Sequence, residues 1–231
     1  MKKINNKPEQ SSKVIKELLS AWDKETPGSV IKKQKKLSAR RLFMTQSMGL
    51  MGSLAMPKAL MAKNKSNLKA NNKLKQPWLT LSEVQEHLFP RTESKNESSF
   101  SPGAKDINAI NYLQTMLSVP DADMDEREFI IKGVGWLDGV ANNMAGHSFV
   151  KLNDTKREKV LKKISESQSG ANWLSTLLRY IFEALLTDPV YGGNTNKVGW
   201  QWLEHQPGFP RPPENKKYWM LRNINQVNLN E

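Results

Sequence analysis

Few residues in this 231-residue chain have a type and spacing suited to chemistry. The three histidines, His87, His147 and His205, are far apart and form no HxxH or HExxH pair, so they indicate no metal site. The chain has no cysteine, which excludes disulfides, thiolate zinc sites, cysteine-ligated iron–sulfur clusters and covalent c-type haem.

Two further patterns resemble enzyme sites only in part. Asp188, His205 and a serine are the residue types of a hydrolase, but no GxSxG sequence accompanies them and His205 lies in a loop rich in Pro and Gly. Residues 133–139 (GVGWLDG) suggest a phosphate-binding loop. Their spacing is GxGxxxG rather than GxGxxG, and no strand-like run precedes them, so they favour close packing between helices. The residues therefore predict no catalytic or cofactor-binding site.

The net charge of +12 suggests a nucleic-acid partner, but its distribution argues against one. Residues 1–62 contain thirteen Lys or Arg and four Asp or Glu, a net of +9, so the rest of the chain carries only +3. A body so nearly balanced implies no broad phosphate-binding face. We therefore expect no nucleic-acid partner.

The basic front end has the layout of an export signal. Arg40, Arg41 and Phe43 match the twin-arginine pattern S/T-R-R-x-F-L-K, and a weakly apolar stretch follows them. That stretch is too short and too polar for a comfortable membrane span, which needs about 20 apolar residues. The alternative is a chance pair of arginines before a core helix. Cleavage after Ala62 is reasonable, but Leu60 is large for the −3 position, so the signal could also stay attached as an anchor.

The rest of the chain divides into tail, linker and body. Residues 12–24 have apolar residues at helical spacing, which predicts a short amphipathic helix in a loose tail. Residues 63–77 are polar and aperiodic and are predicted to be a linker. The predicted units are a basic tail with its signal (1–62), the linker, and a helical domain with a C-terminal tail (78–231).

The apolar periodicity of the body predicts an all-α bundle followed by a long irregular segment rich in Gly, Pro and Trp. Capping boxes at residues 80–83 (TLSE) and 155–158 (TKRE) are expected to open two helices, and Gly170 is expected to end the second. No alternating strand pattern is present. The predicted helices are one that ends near residue 88 and others over residues 104–117, 125–147, 155–167 and 173–186, the last at the centre of the bundle.

After that central helix comes a segment with a distinctive motif: DPVYGGN at 188–194, GW at 199–200 and PGFP at 207–210. These residues resemble the hallmark of the gluconate 2-dehydrogenase subunit 3 family, the small subunit of periplasmic flavin-dependent sugar and sugar-acid dehydrogenases. The similarity covers about residues 78–213, and a twin-arginine signal is usual in the family. The motif residues are Asp188, Pro189, Tyr191, Gly192, Gly193, Asn194, Gly199, Trp200, Pro207, Gly208 and Phe209.

The resemblance implies a non-catalytic subunit without a cofactor of its own. In this family FAD is bound by a large subunit of the glucose–methanol–choline type, often with a cytochrome c subunit. The small subunit escorts the flavoprotein through the twin-arginine translocase into the periplasm. The alternative is a membrane-tethered adaptor or binding module for another envelope oxidoreductase. The long basic tail before Arg40 departs from the family pattern.

Two roles stay open for the DPVYGGN segment. It could be a rigid helix stop that packs on its own domain, or part of the surface docked on the large subunit, because aromatic residues are good interface anchors. Asp188 is expected to act as a cap or to bond the amides of Gly192 and Gly193. The candidate docking residues are Tyr191, Asn194, Trp200 and Phe209.

Overall fold

The computed structural model describes residues 7–31, 74–93 and 100–221. The predicted signal residues Arg40, Arg41 and Phe43 lie outside these ranges. The elements, in chain order, are α1 (Lys7–Glu25), α2 (Trp78–Leu88), β1 (Thr92–Glu93), β2 (Phe100–Ser101), α3 (Ala109–Met116), α4 (Met124–Ala145), α5 (Asp154–Ile164), α6 (Gln168–Leu186) and α7 (Val198–Trp202). The all-α class is confirmed, and β1 and β2 form only a two-residue antiparallel ladder between α2 and α3.

Helix α6 lies at the centre of the bundle, as its apolar sequence predicts. It contacts α1, α2, α3, α4 and α7. Trp173, Leu177 and Ile181 are fully buried, and their spacing of four residues places them on one face of the helix. The described part of the chain leaves a second face partly exposed: Phe182 and Leu186 are 49% and 55% exposed.

Helix α1 is packed into this bundle, so the prediction of a loose tail is wrong. Trp22 is 2% exposed; it stacks on Trp136 of α4 with ring centroids 6.2 Å apart and meets Trp173 of α6 edge to face at 6.1 Å. Periodicity indicates that a helix has an apolar face but not what covers it, which is why the sequence did not distinguish the two cases. The buried residues of this segment are Ile15, Leu19, Trp22, Thr26 and Val30.

Polar contacts fix the end of α1 against the start of α6. The Thr26 hydroxyl donates to Ser169 Oγ at 2.6 Å, and the Ser169 amide donates to the Asp23 carboxylate at 2.7 Å. Asp23 thereby places a negative charge at the N-terminus of α6, where the helix dipole favours it. Residues 7–31 are therefore part of the helical body, although the sequence division assigned them to the tail.

The glycine-rich stretch of α4 serves helix packing, as predicted. A Cβ atom on Gly133 would overlap the indole of Trp173, whose Nε1 donates to the Ile130 carbonyl at 3.0 Å. Nothing lies within 4 Å of a Cβ atom built on Gly135. The close approach of α4 and α6 therefore depends on Gly133.

Both predicted capping boxes are wrong. Helix α2 begins at Trp78, after Pro77, so Thr80 lies inside its first turn and its hydroxyl donates to Gln76 Oε1 at 2.9 Å. Helix α5 is capped by Asn153, whose side chain accepts from the Lys156 amide at 3.0 Å.

The glutamates of those boxes make tertiary contacts instead. Glu83 bonds both Lys105 and Arg157 at 2.8 Å, and Glu158 bonds His87 at 2.9 Å. Burial would raise the pKa of Glu83, but the hydrogen bonds and charges of Lys105 and Arg157 together outweigh it and lower that pKa. These pairs tie α2 to α5 and to the turn before α3.

Gly170 does not end α5, because it lies in the first turn of α6. Ser167 caps α6 and accepts from the Gly170 amide at 3.0 Å. A Cβ atom on Gly170 would overlap the Ile164 carbonyl at the end of α5. The absence of a side chain at Gly170 thus lets the chain turn tightly from α5 into α6.

Candidate functional site

The DPVYGGN segment folds back onto the C-terminal end of α6. A helix end leaves its last carbonyl groups without helical partners. Two carbonyls at this end accept from side chains of the segment: Trp200 Nε1 donates to Leu186 at 2.9 Å, and Asn194 Nδ2 donates to Thr187 at 3.0 Å. The motif therefore supplies the cap that α6 needs.

Asn194 joins the two parts of the motif. Its side chain is fully buried, and its Oδ1 accepts from the Gly199 amide at 2.8 Å while its Nδ2 bonds Thr187. Its φ of 47° is in the left-handed region, which asparagine tolerates better than most residues. This geometry makes Asn194 a structural residue that no partner reaches in this structure.

The motif glycines are required by close backbone contacts. A Cβ atom on Gly193 would lie 2.8 Å from the Ala184 carbonyl oxygen, and one on Gly199 would overlap the Leu185 carbonyl. Gly192 has a φ of 94°, which residues with a side chain rarely adopt. The glycines let the segment lie directly on the last turn of α6.

Asp188 holds the start of the DPVYGGN segment and also binds Arg211, which lies beyond the PGFP residues. Its Oδ1 accepts from the Val190 amide at 3.0 Å, which caps the short 3-10 turn Pro189–Tyr191. Asp188 therefore acts as a cap, one of the two roles expected of it, and it bonds the Val190 amide rather than those of Gly192 and Gly193. Its carboxylate also pairs with Arg211 through two bonds of 2.7 and 2.9 Å, and this partner lowers the pKa of Asp188 below its usual range.

The four candidate docking residues differ in exposure. Asn194 and Trp200 are buried, and Tyr191 is half-buried against Tyr218 and Trp219, with ring centroids 5.8 and 5.6 Å away. Phe209 is 96% exposed. Most of the motif therefore supports the fold, and Phe209 is the candidate that points away from it.

Sequence analysis missed an exposed aromatic surface beside the motif. The ring of Phe89 meets Phe182 of α6 at 6.2 Å and Trp202 of α7 at 6.4 Å, both edge to face. Trp202 is 42% exposed, and Phe182 and Leu186 are exposed as given above. The sequence does contain a signal for this surface, because α6 is apolar on more than one face. Such a helix is typically covered on several sides, so an apolar face left exposed indicates a place where another chain can bind.

Replacing Asn194 by alanine is expected to destabilise the protein by about 2–4 kcal/mol. The buried Gly199 amide loses its partner, which costs about 1–3 kcal/mol, and the half-buried Thr187 carbonyl loses its partner at a smaller cost of about 1 kcal/mol. Asn196→Ala is the matched control, since Asn196 also has a positive φ, 55°, but is exposed. Urea unfolding of the two variants measures the difference. Equal stabilities would show that the side-chain hydrogen bonds of Asn194 contribute nothing.

No helix within residues 7–31, 74–93 and 100–221 is long and apolar enough to span a membrane. In the same part of the chain, no three His, Asp or Glu side chains are grouped so that they could hold a metal ion.

Comparison with known proteins identifies the family. Neither a search of curated proteins nor a search of solved structures found a match. The family model described as Gluconate 2-dehydrogenase subunit 3 matches residues 75–208, which is more than half of the chain. This range contains all of the body from α2 to α7 with the DPVYGGN and GW residues, and it leaves out α1 and Phe209. The chain therefore belongs to the gluconate 2-dehydrogenase subunit 3 family.

Proposed function

We propose that this chain is a non-catalytic small subunit that escorts, exports and stabilises a flavin-dependent sugar or sugar-acid dehydrogenase. The family match supports the proposal most strongly, because it spans the body from α2 to α7 and its description is that of a dehydrogenase subunit. A subunit works in a complex with other subunits. The partner that we propose is a large FAD-containing subunit of the glucose–methanol–choline type, with or without a cytochrome c subunit.

The use of the motif residues fits a supporting role. Asn194 and Trp200 donate to backbone carbonyls at the end of α6, and the motif glycines permit that contact. Side chains used in this way position a backbone. Beside them, Phe182 and Leu186 offer an apolar surface to another chain.

Export is proposed to use Arg40 and Arg41 and the twin-arginine translocase, with the periplasm as the destination. FAD is bound inside a folded protein, so a flavoprotein needs a route that accepts folded cargo. A signal on this small chain would then serve the whole complex. The similarity of residues 38–44 to the twin-arginine pattern supports this part of the proposal.

Changing Arg40 and Arg41 to lysine is expected to leave both this chain and its flavin dehydrogenase in the cytoplasm, because the charge is kept while the arginine pair is lost. The measurement is flavin dehydrogenase activity in periplasmic and cytoplasmic fractions. Changing Lys35 and Lys36 to glutamine is the control, which removes charge but keeps the pair. Normal export in the lysine variant would contradict the export role, and a need for detergent to extract an intact chain would favour a membrane-tethered adaptor.

A further inference from the structure

One apolar surface of the body, near the end of α6, has no cover in the part of the chain that the structure describes. Phe89 joins two exposed aromatic side chains into one patch, because its ring contacts both Phe182 and Trp202. Contiguous exposed apolar patches mark interaction sites on soluble proteins. We name this surface the Phe182 face, and it consists of Phe89, Phe182, Leu186, Trp202 and Leu203.

An exposed arm continues from this face. Residues 201–211 are exposed without interruption, and both ends of the arm are held to the body. At one end Trp200 is buried and bonds the Leu186 carbonyl, and at the other Arg211 pairs with Asp188. Among the large apolar side chains of the described ranges, Phe209 in this arm has the highest exposure. The family motif thus anchors a segment that presents an aromatic side chain to solvent.

We infer that the Phe182 face and the arm form the surface on which the larger dehydrogenase subunit docks, with Phe209 seated in an apolar pocket of that subunit. The inference rests on the proposed function, which supplies the partner. Anchor residues of protein interfaces are typically aromatic side chains that fill pockets on the other chain. Phe209 is the described residue best placed for that task.

The area of the surface matches this assignment. A fully exposed aromatic side chain offers about 150–250 Å², so the exposed parts of Phe182, Trp202 and Phe209, with the two leucines, provide roughly 500 Å² of apolar surface. A standard interface covers about 800 Å² on each partner and is about 60% apolar. It therefore needs about 500 Å² of apolar surface from each partner, which is what this surface provides.

The charges around the surface indicate what kind of partner fits. On α6, Arg179 bonds Glu183 at 2.8 Å and also bonds Glu126, and at the end of the arm Arg211 bonds Asp188. A chain that covers this surface therefore meets two arginines that are already paired, together with the exposed carboxylate of Glu204 in the arm. An apolar protein surface can cover these residues without needing free cations, whereas a polyanion would find both arginines already paired.

The other side of the bundle is already covered within the chain. Helix α1 places Trp22 between Trp136 and Trp173, so a partner at that position would have to displace a helix that is packed on the body. The Phe182 face is not covered by any residue that the structure describes. The choice between the two sides therefore favours the Phe182 face.

Three single variants test the inference in the full chain co-expressed with the flavin-containing dehydrogenase subunit. Phe182→Ser and Phe209→Ser are each expected to weaken binding of that subunit by about tenfold or more, as loss of an interface anchor does. Met124→Ser is the matched control, because Met124 is 64% exposed but lies at the start of α4, outside the Phe182 face. The readout is the amount of flavin that co-purifies per tagged chain, together with the dissociation constant. Thermal unfolding of each variant alone should match the unmodified chain.

The outcomes separate the inference from the proposed function. If the unmodified chain retains no flavin dehydrogenase, the proposed function fails. If it retains the dehydrogenase and Phe182→Ser and Phe209→Ser do so equally well, only the docking surface is wrong. The docking surface would also be wrong if Met124→Ser lost as much co-purifying flavin as the other two variants. Sedimentation that shows two copies of this chain joined through the Phe182 face would contradict it as well.

Discussion

Replacing Trp22 by alanine is expected to lower the free energy of unfolding by about 3–5 kcal/mol, the usual cost of deleting a buried aromatic side chain. Trp22 contacts Trp136 and Trp173 at once, so its removal opens a cavity between α1, α4 and α6. The midpoint of thermal unfolding should fall by roughly 10 °C, since each kcal/mol shifts it by about 2–4 °C in a domain of this size.

The control for this variant is Glu17→Ala, an exposed position on the same helix. It keeps Trp22 in place and should leave the midpoint within about 1–2 °C, because surface substitutions usually change stability by less than about 0.5 kcal/mol. Calorimetry of both full-length variants makes the comparison. An unchanged midpoint in Trp22→Ala would mean that α1 is not docked on the body.

Replacing Gly133 by alanine is expected to destabilise the protein by about 2–3 kcal/mol, because overpacking a core has a cost of this size. The added methyl group would overlap the fully buried indole of Trp173, which is also held by its bond to the Ile130 carbonyl. Trp173 would have to move, and Trp22 packs against it.

Gly135→Ala provides a control of opposite sign on the same helix. Gly135 is exposed and has open space for a methyl group, so alanine there should stabilise the protein by up to about 1 kcal/mol through its higher helix propensity. Urea unfolding of the two variants measures both effects. If both changes stabilise the protein, the packing of Gly133 against Trp173 is not as described.

Long helices could be predicted well from the sequence, and their ends could not. Helix α4 was expected over residues 125–147 and lies at Met124–Ala145, since a 3.6-residue period is strong over such a length. Helix α6 begins at Gln168 rather than at 173, because Gly170 suggested a break. The reason for that glycine is the nearby Ile164 carbonyl, a tertiary contact that local sequence does not contain.

The capping boxes failed for a related reason. The pattern S/T-x-x-E states only that a local bond is possible. In this fold both glutamates form ion pairs with residues that are distant in sequence. Glu83 pairs with Lys105 and Arg157, and Glu158 pairs with His87.

The candidate site could be located from the sequence, but its residues could not be assigned roles. Trp200 and Phe209 are both aromatic residues in a polar loop, yet one is buried and the other almost fully exposed. The difference arises because the end of α6 needs hydrogen-bond donors, and Trp200 and Asn194 lie close enough to provide them. That requirement becomes visible only when the segment is folded against the helix.

The docking of α1 has a consequence for any processing of the chain. Arg40 and Arg41 lie between α1 and α2 in sequence, so a peptidase cut between residues 31 and 74, for example after Ala62, would sever α1 from the rest of the body. The helix would then be held to the body only as a separate peptide. Its rebinding would cost about 4–15 kcal/mol in lost translational and rotational freedom, as every bimolecular association does. A processed molecule would consist of two chains, and its stability would fall on dilution.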